Sequence, residues 1–280
     1  MAMSRTQRRA LVTGASSGIG AAFARALAQR GHALVLTARR RERLEALAAE
    51  LRAAHGVEVA VYAQDLADPS APQRLVAALE RDGLAVDLLI NNAGYGVPGT
   101  FDASPWSRHA DFIQVLITAP TELAHRLLPG MRARGHGRIV NVASLAGHLP
   151  GTPGHTLYAA AKAYLIKFSQ SLALENRRHG VHVTALCPGF TYSEFHDVTG
   201  ARALVSKMPA RMWMHADTVA AQGLAAVERG DIVYINGRLN RTIKTVFKLL
   251  PDRTALALIA RRSRRFRVMQ GAVTGKAPER

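Results

Sequence analysis

Tyr158 and Lys162 stand four residues apart in the run Tyr158-Ala159-Ala160-Ala161-Lys162, fourteen positions after Ser144. On a helix that spacing puts the two side chains on one face, a turn apart. A phenol titrates at about pH 10 in water, too high for easy reversible proton transfer near neutrality, and a neighbouring cation lowers it. The pair therefore suits general acid–base work, with Tyr158 giving or taking a proton and Lys162 holding it in a useful range. Tyr and Lys at helical spacing are commonplace alone, and a Ser after a strand often only caps a turn. The rest of the chain has to supply the context.

The first piece of context is Thr13-Gly14-Ala15-Ser16-Ser17-Gly18-Ile19-Gly20, between the apolar run Ala10-Leu11-Val12 and the helical pattern Ala21 to Leu27. This reads as strand, glycine turn, helix. Glycine reaches positive φ and carries no Cβ, so such a turn lets backbone N–H groups and a helix N-terminus approach a pyrophosphate. A dinucleotide is the natural ligand. At the end of the next predicted strand, Thr37-Ala38-Arg39-Arg40 offers guanidinium groups where a carboxylate would bind ribose hydroxyls and repel a 2′-phosphate. The expected cofactor is NADP(H). Arg39 is the first candidate for the phosphate and Arg40 the second, while Arg41 and Arg43 begin a solvated helix face.

Further along the chain come Asn91-Asn92-Ala93-Gly94 after the apolar Leu88-Leu89-Ile90, and Pro188-Gly189 after Val181 to Cys187. Glycine turn, Asn-Asn-Ala-Gly, Ser, Tyr-x-x-x-Lys and Pro-Gly in this order resemble the short-chain dehydrogenase/reductase (SDR) family over roughly residues 8 to 235. The resemblance implies an oxidoreductase that moves hydride between a nicotinamide and a carbonyl or secondary alcohol. Its catalytic residues would be Ser144, bonding the substrate oxygen, Tyr158 as acid or base, and Lys162, which also bonds the nicotinamide ribose. Cofactor contacts would come from Gly14, Ser16, Ser17, Gly18, Ile19, Gly20, Asn92, Ala93 and Gly94. Asp65 and Leu66 would meet the adenine, and Pro188, Gly189 and Ser193 the nicotinamide and phosphates. One position departs from the pattern: Leu116 stands where many relatives carry a fourth catalytic residue, an asparagine, and leucine cannot hold a water by hydrogen bonds. That departure supports an alternative reading, a regulatory dinucleotide binder with little or no turnover, against which the intact Ser144, Tyr158 and Lys162 argue.

The elements that must position these groups follow from hydrophobic patterning. Short apolar runs at 8–13, 33–38, 57–62, 86–91, 137–143, 181–187 and 231–235 alternate with helical patterns, the signature of βαβ units. The prediction is an α/β Rossmann fold: a doubly wound, seven-stranded parallel sheet with helices on both faces and Pro105, Pro129 and Pro188 as punctuation. Residues 1–235 form the catalytic domain, within which 190–216, rich in Met and aromatic side chains, would be the substrate loop for an apolar ligand or ordinary packing. Residues 236–280 form a basic amphipathic C-terminal extension. Ile243, Val246, Phe247 and Leu250 share one helical face there, and Leu256, Ile259, Ala260 and Phe266 roughly share another.

Charge is concentrated in that extension. The 280-residue chain carries a net charge of +17, and twelve Lys or Arg against Asp252 and Glu279 place ten of those charges after Ile235. Such a tail can pack on its own domain, stay solvated, or touch an anionic membrane surface; packing is the favoured expectation. It lacks the interleaved aromatics of a nucleic-acid module, so no nucleic acid is expected. Cys187 is the single cysteine, which excludes an intrachain disulfide and a cysteine metal cluster. It reads as a packing residue at the end of a buried strand. Asn240-Arg241-Thr242 matches a glycosylation acceptor by coincidence, because no secretion signal or membrane span is legible, and the location read is cytoplasmic. Family-like pairing of two long helices, roughly 105–128 and 156–179, predicts a homo-oligomer, with the extension favouring a dimer over a tetramer.

Overall fold

A computed structural model describes residues 7–97, 99–154, 156–192 and 209–261. Seven strands form one sheet: β1 (Arg9–Thr13), β2 (Ala33–Ala38), β3 (Val59–Ala63), β4 (Leu88–Asn91), β5 (Gly137–Val142), β6 (Val181–Cys187) and, after a short two-stranded sheet of β7 (Phe190–Tyr192) and β8 (Trp213–His215), β9 (Val233–Ile235). All pairings are parallel and the order is β3-β2-β1-β4-β5-β6-β9. The expected seven-stranded, doubly wound sheet is present. The β7–β8 ladder was not anticipated, because three-residue strands leave no measurable alternation.

Side-chain alternation assigns each strand residue to a layer. Leu11, Val35, Leu89, Ile139 and Val183 point to one face and pack with Leu75 and Leu79 of α3 (Ala71–Arg81), Leu123 and Met131 of α5 (Ala119–Ala133) and Ala173 of α6 (Thr156–Asn176). Their neighbours Ala10, Val12, Leu34, Leu36, Leu88, Ile90 and Val140 point the other way. There they meet Phe23 and Leu27 of α1 (Gly18–Gln29), Leu44, Leu47 and Leu51 of α2 (Arg41–His55), and Val219 and Leu224 of α7 (Ala216–Arg229). Strands buried on both faces are continuous apolar runs, which is why they were legible.

Two helical features differ from the sequence expectation. Pro129 lies inside α5 rather than ending it. The lost N–H bond is tolerated because the buried face of Leu123, Ala124 and Met131 holds the helix on the sheet. Between α4 (Trp106–Ile113) and α5 the chain makes one π-helical turn, Gln114–Thr118, and Leu116 sits in it. After β9, Gly237 at φ +82° turns the chain into α8 (Arg238–Leu249), and residues 252–261 are helical again.

The order of strands fixes where a ligand can sit. From β1 the chain winds outward through β2 and β3, then returns across β1 to β4, so the loops after β1 and β4 diverge to opposite faces and leave a crevice at the carboxyl ends of the strands.

Candidate active site

The glycine turn and the Asn-Asn-Ala-Gly segment meet at that crevice. Gly14 adopts φ +66° and Gly18 φ +55°, both in the left-handed region. A Cβ on Gly14 would lie 2.9 Å from Ala93 Cα, and one on Gly20 would strike the Gly14 carbonyl and the Asn92 amide. The Asn92 side chain donates to Thr13 O at 2.9 Å and to Gly14 O at 3.3 Å, fastening one loop to the other. Thr13 Oγ1 donates to Ile90 O and accepts from the backbone N–H groups of Asn92 and Ala93 at 2.9 and 3.0 Å. Thr13 was not anticipated as part of this clasp. The only signal for it was a hydroxyl residue ending an otherwise apolar strand.

Behind the clasp runs a buried polar chain. Asn91 and Asn141, paired across β4 and β5, share a 2.9 Å bond; Asn141 donates on to Ser169 of α6, and Asn91 also donates to Pro120 O of α5. Both asparagines and Ser169 are buried. The chain ties the helices of one face to the strands that end at the crevice.

At the end of β2 the two arginines differ in their contacts. Arg40 folds over the glycine turn, its Nη2 donating to Ser16 Oγ at 3.0 Å and Ser17 Oγ at 3.1 Å. Arg39 is exposed at the end of β2. Arg41, also exposed, starts α2 and pairs with Glu45 at 3.5 Å. Asp65 is exposed, with Oδ1 accepting from Ala67 N at 3.0 Å, and Leu66 is buried beside Phe112, Val115, Leu116 and Ala161.

The three predicted catalytic residues come from two adjoining elements. Ser144 follows β5 and accepts from Ala146 N at 3.1 Å, capping the short turn Leu145–His148. Tyr158 and Lys162 lie on α6, where Lys162 Nζ is 5.7 Å from the Tyr158 ring centroid. Burial pushes the Tyr158 phenol up to about 12, and its hydrogen bond with Ser144 pulls the other way. Lys162 is lowered to about 8 by burial, with the nearby Cys187 sulfur opposing. The expected lowering of Tyr158 by Lys162 is not seen: burial raises the phenol, Ser144 opposes, and Lys162 Nζ donates to Val142 O at 2.7 Å. A phenol that keeps its proton is prepared to act as an acid.

Pro188 and Gly189 close the site from the far side. Pro188 O accepts from Leu145 N at 2.9 Å, joining the Pro-Gly turn to the Ser144 turn. A Cβ on Gly189 would lie 2.5 Å from the Asn240 side-chain nitrogen. Asn240, on α8, is buried and donates to Asn236 O at 2.7 Å; Asn236, also buried, donates to Gln222 Oε1 at 2.9 Å. Ile243 of the same helix packs with Leu145, Leu165 and Ile235; of the apolar face expected of this helix, Ile243, Phe247 and Leu250 are half-buried and Val246 is exposed. Burial of Asn240 also closes the glycosylation triplet to modification. Cys187 is fully buried and its thiol is pushed up to about 12, as suits a packing residue. Half-buried His148 is lowered by desolvation, then by Lys244 and Lys167. Ser193, His155, Phe195, Met208 and Phe266 lie outside the described residues, as do Arg262, Arg264 and Arg265.

Comparison with known proteins bears on the family and the fold. The short chain dehydrogenase family profile matches residues 8–202. Nodulation protein G of Rhizobium sp. (strain N33) is 37% identical over 243 residues, 84% of this chain and 97% of that protein. Among solved structures, a short-chain dehydrogenase from Sphingobium yanoikuyae in complex with NADPH superposes with a TM-score of 0.76 at 34% identity, covering 88% of this chain and 96% of that one. A bulky-bulky ketone specific alcohol dehydrogenase from Comamonas testosteroni gives 0.71 at 30% identity, covering 88% and 95%.

Proposed function

The chain belongs to the short-chain dehydrogenase family, an oxidoreductase family, and from that premise we propose that it is an NADP(H)-dependent reductase of apolar ketones, with Tyr158 as the general acid. The observation that carries the reading is the hydrogen bond between Ser144, which follows β5, and Tyr158 of α6, on the same sheet whose glycine turn is clasped by Asn92. The donor set fits a dinucleotide: a helix N-terminus and glycine backbone for the pyrophosphate, and Ser16, Ser17 and Arg40, with Arg39 beside them, for a 2′-phosphate. A bound nicotinamide would supply the hydride.

The chain's own groups do the rest. Ser144 and Tyr158 would hold the carbonyl oxygen, and Tyr158 would release its proton to that oxygen as negative charge develops there. Lys162, still largely charged at neutral pH, would steady the phenolate left behind. Leu116 is packed against Gly94, Phe112 and Val115 and offers no polar atom. Proton return to Tyr158 therefore would not use this side chain.

Oxidation of NADPH and of NADH, followed at a range of ketone concentrations, tests the reading. NADPH oxidation dependent on an apolar ketone supports it; preference for NADH removes the cofactor assignment, and tight NADPH binding without turnover on a broad carbonyl panel favours the regulatory binder.

A further inference from the structure

The helical chain after β9 keeps an apolar side open to solvent. Of ten large apolar side chains exposed among the described residues, five lie between 238 and 261. They are Leu239, Val246 and Leu249 on α8, and Leu256 and Leu258 in the helical residues after Pro251. Leu249 is 79% exposed. The sides of these stretches that face the domain are occupied by other residues: Asn240 meets Gly189, Ile243 packs with Leu145 and Leu165, and Ala255 is buried. By helical periodicity Leu249 and Arg238 stand opposite the inward Asn240 and Ile243, Leu239 and Val246 fall on one flank, and Arg241, Lys244 and Lys248 on the other.

The same stretch is basic in a way that the rest of the surface is not. Residues 238–261 carry Arg238, Arg241, Lys244, Lys248, Arg253 and Arg261 against Asp252. Elsewhere arginines meet carboxylates, as in Arg25–Glu50 at 2.7 Å, Arg126–Glu122 at 2.7 Å and Arg138–Glu228 at 2.9 Å. Not one of these six basic groups has an ion pair among the described residues. Arg241 is held by its own domain, with Nε donating to Ile235 O at 2.9 Å and the guanidinium over the Tyr234 ring. Arg238, Lys248, Arg253 and Arg261 are exposed.

Exposed leucines beside uncompensated lysine and arginine match the interface of an anionic bilayer. The leucines enter the acyl boundary, while the long basic side chains reach back to the phosphates. An acidic protein would answer the charge as well, but a groove that captures a helix takes its apolar face, and Ile243 of α8 turns that face to its own domain. We propose that the exposed side of α8 and of residues 252–261 docks on a membrane surface rich in anionic phospholipid. This stands apart from the reductase chemistry, since it uses none of the residues at the crevice.

Cys187 is fully buried, so Leu249→Cys gives the full chain one accessible thiol for a nitrobenzoxadiazole fluorophore. Vesicles of equal parts phosphatidylcholine and phosphatidylglycerol should shift its emission to the blue, and binding to phosphatidylcholine alone should be at least about tenfold weaker. The same label at Leu174→Cys on α6 should not respond to lipid. Arg238→Gln with Lys248→Gln should weaken vesicle binding about tenfold, and so should Leu256→Ser with Leu258→Ser, each with the thermal unfolding of the parent. A chain that floats with the vesicles while the Leu249 label stays in water binds through another segment, and the proposal falls. It falls equally if nothing floats at low salt, or if the label is already in apolar surroundings before lipid is added, the sign of a side covered by the chain itself or a second copy. An equal shift with polyglutamate in place of vesicles would assign the side to an acidic protein instead and overturn the membrane assignment.

Discussion

Lys162 Nζ donates to the Val142 carbonyl at 2.7 Å, stapling the helix that bears Tyr158 to the strand end that leads into Ser144. Ser144 and Tyr158, the proposed catalytic pair, are thereby held to each other through a charge-assisted bond between their supports. Lys162 acts on geometry as well as on charge, and its removal separates those effects from the acid itself.

Tyr158→Phe keeps the ring and deletes the acid. Ketone reduction should fall at least about 100-fold, the scale of a lost general acid, while NADPH affinity stays near that of the parent. Steady-state rates combined with fluorescence titration of NADPH check both halves; full activity in the Phe variant would take Tyr158 out of the mechanism.

Burial of Lys162 has a stability consequence with a definite sign. Its folded value of about 8 lies below the roughly 10.4 of an unfolded lysine. Between those values the unfolded chain holds a proton that the folded chain has released, so rising pH favours the fold. Measured against Lys162→Met, which has nothing to titrate there, the parent should gain stability from pH 8 to 10.5, at most about 3 kcal/mol. Urea unfolding at four pH values reads it, and a pH-independent difference contradicts it.

Arg40 is a cation that reaches the glycine turn through Ser16 and Ser17. Arg40→Ala should weaken NADPH roughly 30-fold, as expected for a lost charge-assisted contact, and leave NADH almost unaffected. Equal loss for both nucleotides would mean that Arg40 only supports the loop.

Gly189→Ala would press a methyl group onto Asn240. The expected loss is about 1–3 kcal/mol, and Asn240→Ala in the same chain should recover part of it, because the two sites share one contact. Additive losses in a thermal-unfolding double-mutant cycle would show that the turn relaxes without α8.

Assembly is testable on α6, which leaves Leu174 70% and Tyr164 37% exposed. Light scattering should give two subunits, and Leu174→Glu should give one. A full-length tetramer would contradict the idea that the extension covers a second interface.

How far the sequence was legible follows the physics of each signal. Strands buried on both faces write continuous apolar runs, and the turn writes glycine where a side chain would collide, at Gly14 and Gly20, and where φ is positive, at Gly18. The bonds from Arg40 to Ser16 and Ser17 were not legible, since they depend on which way two adjacent side chains leave the strand end. The Tyr158 environment was misread because helical spacing reports a neighbour, whereas desolvation depends on everything packed around the phenol. Asn240 left no periodic trace, because its close approach is to Gly189, a residue outside its own helix.

The contact between Asn240 and Gly189 also orders events during synthesis. Chain growth delivers the glycine turn first and the Ser144 and Tyr158 segments well before α8, so a nascent chain with six strands already paired still lacks the side chain that backs its Pro-Gly turn. The Pro-Gly turn therefore gains this support late on the ribosome, only after residue 240 has emerged and α8 has formed.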